Sequence, residues 1–218
     1  MDISNFHGII FDLDGTLLDT LTDLAASTNR VLANHGFAPH PVDAYRYFVG
    51  DGMRMLVERA LPQEHRLPRV IDRVFAELHA DYGENWAEAT RPYAGVVELL
   101  AELQRRGIVM SVLSNKPDEF TGIMVRKFFP TVAFKCVYGA SDRVAKKPDP
   151  AGALCIAAET GIKPEQTLYL GDTLVDMKTA VAAAMFPLGA LWGFRDKDEL
   201  LAGGAKLLLQ SPMQLFND

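Results

Sequence analysis

Short apolar runs that stop on an acid, a hydroxyl or a glycine alternate along this chain with longer amphipathic stretches. No other feature constrains the fold as much. Residues 7–12 (His-Gly-Ile-Ile-Phe-Asp), 108–113, 132–138, 167–170 and 188–192 read as strands, with a last short one at 206–210. An apolar run without polar alternation is a strand covered on both faces, as in a parallel sheet. Between these runs, 94–106, 117–128, 149–160 and 174–184 read as helices; the first places Val96, Val97, Leu100 and Leu103 at helical spacing and closes on Gly107. Strands alternating with helices form βαβ units, so the predicted class is α/β, a Rossmann-like open parallel sheet. In such sheets ligands bind outside the carboxyl ends of the strands, and that is where chemistry is sought.

One stretch breaks the alternation. A helix is predicted from Thr20, where Thr20 and Asp23 fit a capping box, and helical patterns recur at 42–49, 53–60 and 68–82 with no strand between them. The expected organisation is a core domain of residues 1–17 and 89–218, interrupted by an inserted α-helical bundle at 18–88.

Composition excludes several classes. Of 218 residues, 49 % are hydrophobic and 23 % charged, which suits a folded chain with a sizeable core. Cys136 and Cys155 form no Cys-x-x-Cys pair and read as free thiols. A net charge of −6 argues against a general nucleic-acid binder while leaving room for a small anionic substrate. No apolar run reaches the ~20 residues of a membrane span. The opening Met1-Asp2-Ile3-Ser4-Asn5 lacks a basic n-region, so a cytoplasmic location is expected.

Four constellations sit at the ends of predicted strands. Phe11-Asp12-Leu13-Asp14-Gly15-Thr16 sets two carboxylates two residues apart, close enough to repel unless a cation or shared proton intervenes. Ser114-Asn115 offers a hydroxyl and backbone N–H groups to an anion. Lys146-Lys147-Pro148-Asp149-Pro150 is a basic loop stiffened by two prolines. Gly171-Asp172-Thr173-Leu174-Val175-Asp176 adds two more acids. Singly these have plainer readings: turn aspartates, a helix cap before Pro117, a solvated basic loop, N-cap acids. Together they put up to four carboxylates at one sheet edge, an oxygen-only set that suits Mg²⁺.

In this order, each behind a strand, the motifs resemble the haloacid-dehalogenase-like hydrolase superfamily over nearly the whole chain. The helical insert resembles that superfamily's cap. The resemblance implies Asp12 as a nucleophile forming an aspartyl-phosphate and Asp14 as general acid, then base. It implies Ser114, Asn115 and Lys147 around the phosphoryl group. It places Mg²⁺ on Asp12, Asp172 and the Asp14 backbone carbonyl, with Asp176 supporting the metal site. Lys147 rather than Lys146 is the match, because it directly precedes Pro148.

Within the superfamily, Asp14 points to an oxygen leaving group, since dehalogenases lack that second acid. Thr16 resembles the phosphatases more than the β-phosphoglucomutases, which commonly have Val there. No lysine lies between Thr20 and Ala87 to serve as a Schiff base. Phe48–Gly52, Arg91–Val96, Ser114–Pro117 and Leu191–Arg195 resemble the phosphoglycolate phosphatase group. The expected activity is Mg²⁺-dependent hydrolysis of a small phosphate monoester, with 2-phosphoglycolate foremost. Another small ester, pyrophosphate, a phosphomutase reaction and a non-catalytic phosphate-binding module are the alternatives. In the insert, Gly50, Gly52 and Arg54 are candidates for meeting the substrate's far end. The expected partner is a small phosphorylated metabolite, with no nucleic acid or membrane; monomer and homodimer both stay open.

Overall fold

The computed structural model describes residues 3–216. The chain enters on β1 (Gly8–Phe11), buried at every position, and reaches the short β2 (Leu18–Asp19). Four helices follow: α1 (Leu21–Asn34), α2 (Tyr45–Phe48), α3 (Met53–Ala60) and α4 (Pro68–Asn85). After β3 (Arg91–Pro92) come α5 (Val96–Arg105), β4 (Val109–Pro117), α6 (Asp118–Phe128) and β5 (Phe134–Ala140). The remainder is α7 (Ala151–Thr160), β6 (Thr167–Gly171), α8 (Leu174–Ala182), β7 (Phe186–Ala190), α9 (Lys197–Gly203) and β8 (Leu207–Leu209).

Two compact units result, one built from the chain up to Leu18 and from Pro92 onward, the other from Asp19–Arg91. In the first, six described strands form one parallel sheet in the order β5-β4-β1-β6-β7-β8. β1 lies between β4 and β6, with Gly8 opposite both Val109 and Thr167. Partners on both sides and cover on both faces are why its sequence reads apolar without alternation. One face packs Ile10, Leu113, Tyr169 and Ala180 with Ala153 and Ile156 of α7.

Besides shifts of a few residues at strand ends and the unpredicted short pair β2–β3, the structure differs from the sequence reading at three places. β4 does not stop at residue 113 but runs to Pro117, so Ser114 and Asn115 lie within the strand. Its pairing with β5 slips between Leu113 and Pro117, an irregularity that re-aims these side chains. Helix α9 was not anticipated; Asp196 caps it by accepting from the Glu199 N–H at 2.9 Å. The capping box at α1 does not form: Thr20 is the N-cap residue but makes no side-chain cap bond.

Asp23 serves a distant partner instead. In the helical unit its buried carboxylate accepts from the Ala89 N–H, the Thr90 N–H and the Thr90 hydroxyl, each at 2.8 Å. Removing that acceptor leaves the buried Thr90 donors unsatisfied, worth about 3 kcal/mol. Asp23→Ala is therefore expected to lower stability by that amount in chemical denaturation, with Asp23→Asn recovering part of it. A loss under about 0.5 kcal/mol would reject this account.

The rest of the helical unit is held conventionally. Leu24, Val31, Leu56, Val74 and Leu78 are buried, and Tyr45 donates to Asn29 Oδ1 at 2.7 Å. Among the described residues, no helix is long and apolar enough to cross a membrane.

Candidate active site

Parallel strands end together, so β1, β4 and β6 bring residues from distant parts of the chain to one edge. Asp12 directly follows β1, and its N–H continues the ladder by donating to the Leu170 carbonyl at 2.9 Å. The chain then turns through Gly15, whose φ of +90° favours glycine. A Cβ there would also lie 2.3 Å from Asp172 Oδ2, so the turn and the acid from β6 fit only without a side chain.

Lys147 is the centre of the electrostatics. Its buried ammonium donates to Asp12 Oδ1 and to Asp176 Oδ1, both at 2.7 Å. Burial works against its charge, but the Asp12 and Asp176 carboxylates more than reverse this and hold it well above the ordinary lysine range. Burial pushes Asp12 up to about 7, against the pull of Lys147 and with the Asp176 charge adding to the rise. Burial, then the Asp12 and Asp176 charges, drive Asp172 well above the ordinary carboxylate range.

Each acid is oriented from outside the cluster. Asp172 accepts from the Thr16 hydroxyl at 3.0 Å and from the Phe194 N–H at 2.7 Å. Thr16 is itself held, its carbonyl accepting from the Trp192 indole at 2.9 Å. Asp176 closes a capping box at the start of α8, where its Oδ2 accepts from the Thr173 hydroxyl at 2.6 Å. With Oδ1 on Lys147, both Asp176 oxygens are engaged, which suits an orienting role.

Asp12, Asp172 and Asp176 can each present an oxygen within 4.8 Å of the others. This set fits a divalent cation: all donors are hard oxygens, and buried like charges need a counter-charge. Asp12 and Asp172 would hold it directly, with Asp176 fixing their surroundings.

Asn115 and Lys147 are joined through a two-way clasp. The Asn115 amide donates to the Lys147 carbonyl at 3.0 Å, and its oxygen accepts from the Lys147 N–H at 2.8 Å. The Asn115 side chain thus holds the lysine loop. Ser114 is buried, and its hydroxyl accepts from the Lys116 N–H at 3.3 Å. In the helical unit, Gly50 and Gly52 have φ values of 122° and 91°, and Arg54 pairs with Asp72 at 2.9 Å. Arg59 of the same unit pairs with Asp51.

Sequence reasoning gave no role to Lys116, yet its ammonium reaches Asp14 Oδ1 at 3.1 Å and Oδ2 at 3.2 Å. A lysine directly after Ser-Asn in a buried strand was the available signal.

A family model described as haloacid dehalogenase-like hydrolase matches residues 9–190. The chain is similar to the phosphoglycolate phosphatase of Pseudomonas putida strain KT2440, 34 % identical over 96 % of this chain and 76 % of that protein. It is similar also to the phosphoglycolate phosphatase of Psychrobacter arcticus, 35 % identical over 96 % of this chain and 91 % of that one. Among solved structures, a predicted phosphoglycolate phosphatase from Haemophilus somnus superposes with a TM-score of 0.89 at 25 % identity, covering 98 % of this chain and 97 % of the other.

Proposed function

Because the chain belongs to the haloacid dehalogenase-like hydrolase family, we propose that it is a Mg²⁺-dependent phosphatase that cleaves 2-phosphoglycolate through an aspartyl-phosphate on Asp12. The observation that carries this reading is the Lys147 ammonium, 2.7 Å from both Asp12 and Asp176 beside three buried carboxylates. A carboxylate attacks an anionic phosphate only where positive charge gathers the two together, and phosphoryl transfer is mostly positioning and charge neutralisation. The names of the relatives support the substrate.

In the first half-reaction an Asp12 carboxylate oxygen bonds to phosphorus as the ester P–O bond breaks. Asp14 gives its proton to the leaving oxygen, releasing an alcohol. In the second, Asp14 takes a proton from water as that water attacks phosphorus, releasing inorganic phosphate and restoring Asp12. Lys147 stays an ammonium throughout and meets the equatorial oxygens, with Ser114 as a further donor. Mg²⁺ held by Asp12 and Asp172 would supply charge neutralisation for the transfer.

Phosphate release with Mg²⁺ across 2-phosphoglycolate, pyrophosphate, sugar phosphates and nucleotides tests the reading. The expected result is a kcat/KM for 2-phosphoglycolate about tenfold or more above the rest, lost in EDTA and restored by Mg²⁺. Even turnover across the panel overturns the substrate and keeps the phosphatase. No phosphate from any ester, with isomerisation of a sugar phosphate, makes it a mutase.

A further inference from the structure

We propose that Lys116 is a specificity-determining residue whose ammonium receives a carboxylate on the leaving group, one carbon away from the scissile oxygen. The proposal rests on the reading of Asp14 as the group that protonates that oxygen.

The two buried lysines divide the two acids of the first motif between them. Lys147 holds Asp12 and Asp176, at the attacking side of phosphorus. Lys116 holds Asp14, at the leaving side, with both carboxylate oxygens within 3.2 Å. Whatever atom Asp14 protonates is one hydrogen bond from Asp14, and Lys116 is one ion pair further on. The substituent next to the scissile oxygen therefore falls within reach of the Lys116 ammonium.

The lysine is built in rather than laid on the surface. Its side chain is 2 % exposed. Its N–H donates to Ser114 Oγ at 3.3 Å, and its carbonyl accepts from the buried Thr121 hydroxyl at 3.3 Å. A Cβ on Gly139 of β5 would lie 2.7 Å from that carbonyl, so the neighbouring strand presses closely on the backbone. The backbone that carries the side chain is thus fixed, and the ammonium at its end is buried on Asp14.

Burying an ammonium is costly unless acceptors replace its water. An apolar substituent placed against Lys116 meets that cost and offers nothing in return. A carboxylate offers two acceptors and a full charge. Arg54, the candidate the sequence offers for an anionic group, is already paired with Asp72 and 44 % exposed.

The test compares kcat and KM for 2-phosphoglycolate and for 2-hydroxyethyl phosphate, an ester of similar length whose leaving group carries no charge. Wild type, Lys116→Met and Lys116→Arg are measured with Mg²⁺, and melting checks each fold. The ratio of the two kcat/KM values is read, so that any common loss through Asp14 cancels. The wild type is expected to favour the carboxylate ester by about 30-fold or more. Lys116→Met should collapse the ratio to within about threefold, mainly through KM, and Lys116→Arg should keep most of it.

Equal losses on both esters in Lys116→Met, with the ratio intact, overturn the proposal. A wild-type ratio near one, with both esters hydrolysed, overturns it even if Lys116→Met does not fold, and leaves the phosphatase reading standing. No phosphate from either ester overturns both.

Discussion

Phosphate release by Asp12→Asn is expected to fall by about 10⁴-fold or more, because the side chain that bonds to phosphorus is then an amide with little nucleophilicity. The substitution keeps the shape and removes a charge from a buried site already crowded with carboxylates. The Asp12 N–H still donates to the Leu170 carbonyl, since that bond belongs to the backbone. Lys147 still has Asp176 at 2.7 Å. The variant should therefore melt cooperatively within about 5 °C of wild type. Activity within tenfold of wild type in a folded Asp12→Asn would reject Asp12 as the nucleophile.

Lys147→Met should damage both stability and rate. In EDTA it leaves Asp12 and Asp176 buried and facing each other with no cation between them. Removing one partner from a buried ion pair costs about 3–5 kcal/mol, and a chain of this size moves about 2–4 °C per kcal/mol, so a Tm drop of roughly 6–20 °C is expected. Methionine retains most of the stem, so the loss is chiefly electrostatic. Added Mg²⁺ should raise the Tm of the variant more than that of the wild type, because a bound cation takes over part of the lysine's duty. Phosphate release with Mg²⁺ should still be about 10³-fold below wild type, since Ser114, the other side chain read as meeting the equatorial oxygens, carries no charge. A Tm within 2 °C of wild type in EDTA would show that the carboxylates do not depend on Lys147.

What could be read from the sequence followed from how local each signal is. Asp12, Asp172 and Asp176 stand out because clean apolar runs deliver them, and the sheet does gather all three. The helical block reads from its spacing alone. Asp23 misled because its local pattern fits a cap, whereas its carboxylate is used by Thr90, which lies 67 residues away. The end of β4 was misplaced because Ser114 to Pro117 is polar in sequence yet almost wholly buried in the fold. Lys116 went unassigned because its partner, Asp14, is 102 residues away and no periodicity links them. Asn115 was read as an anion contact, and only the folded loop shows its amide clasping Lys147.

The place of β1 bears on how the chain is made. It is synthesised before the other five strands of its sheet and ends as one of the two central ones. Its partner Val109 leaves the ribosome about a hundred residues after Gly8, and Thr167 later still. At ~5–20 residues per second, Gly8-Ile9-Ile10-Phe11 waits roughly 5–20 s for its first neighbour. The helical unit, compact within Asp19–Arg91, can close during that delay. An apolar tetrapeptide left unpaired in a growing chain is thus exposed to other nascent chains for that interval, and slower translation through Arg91–Val109 lengthens that exposure.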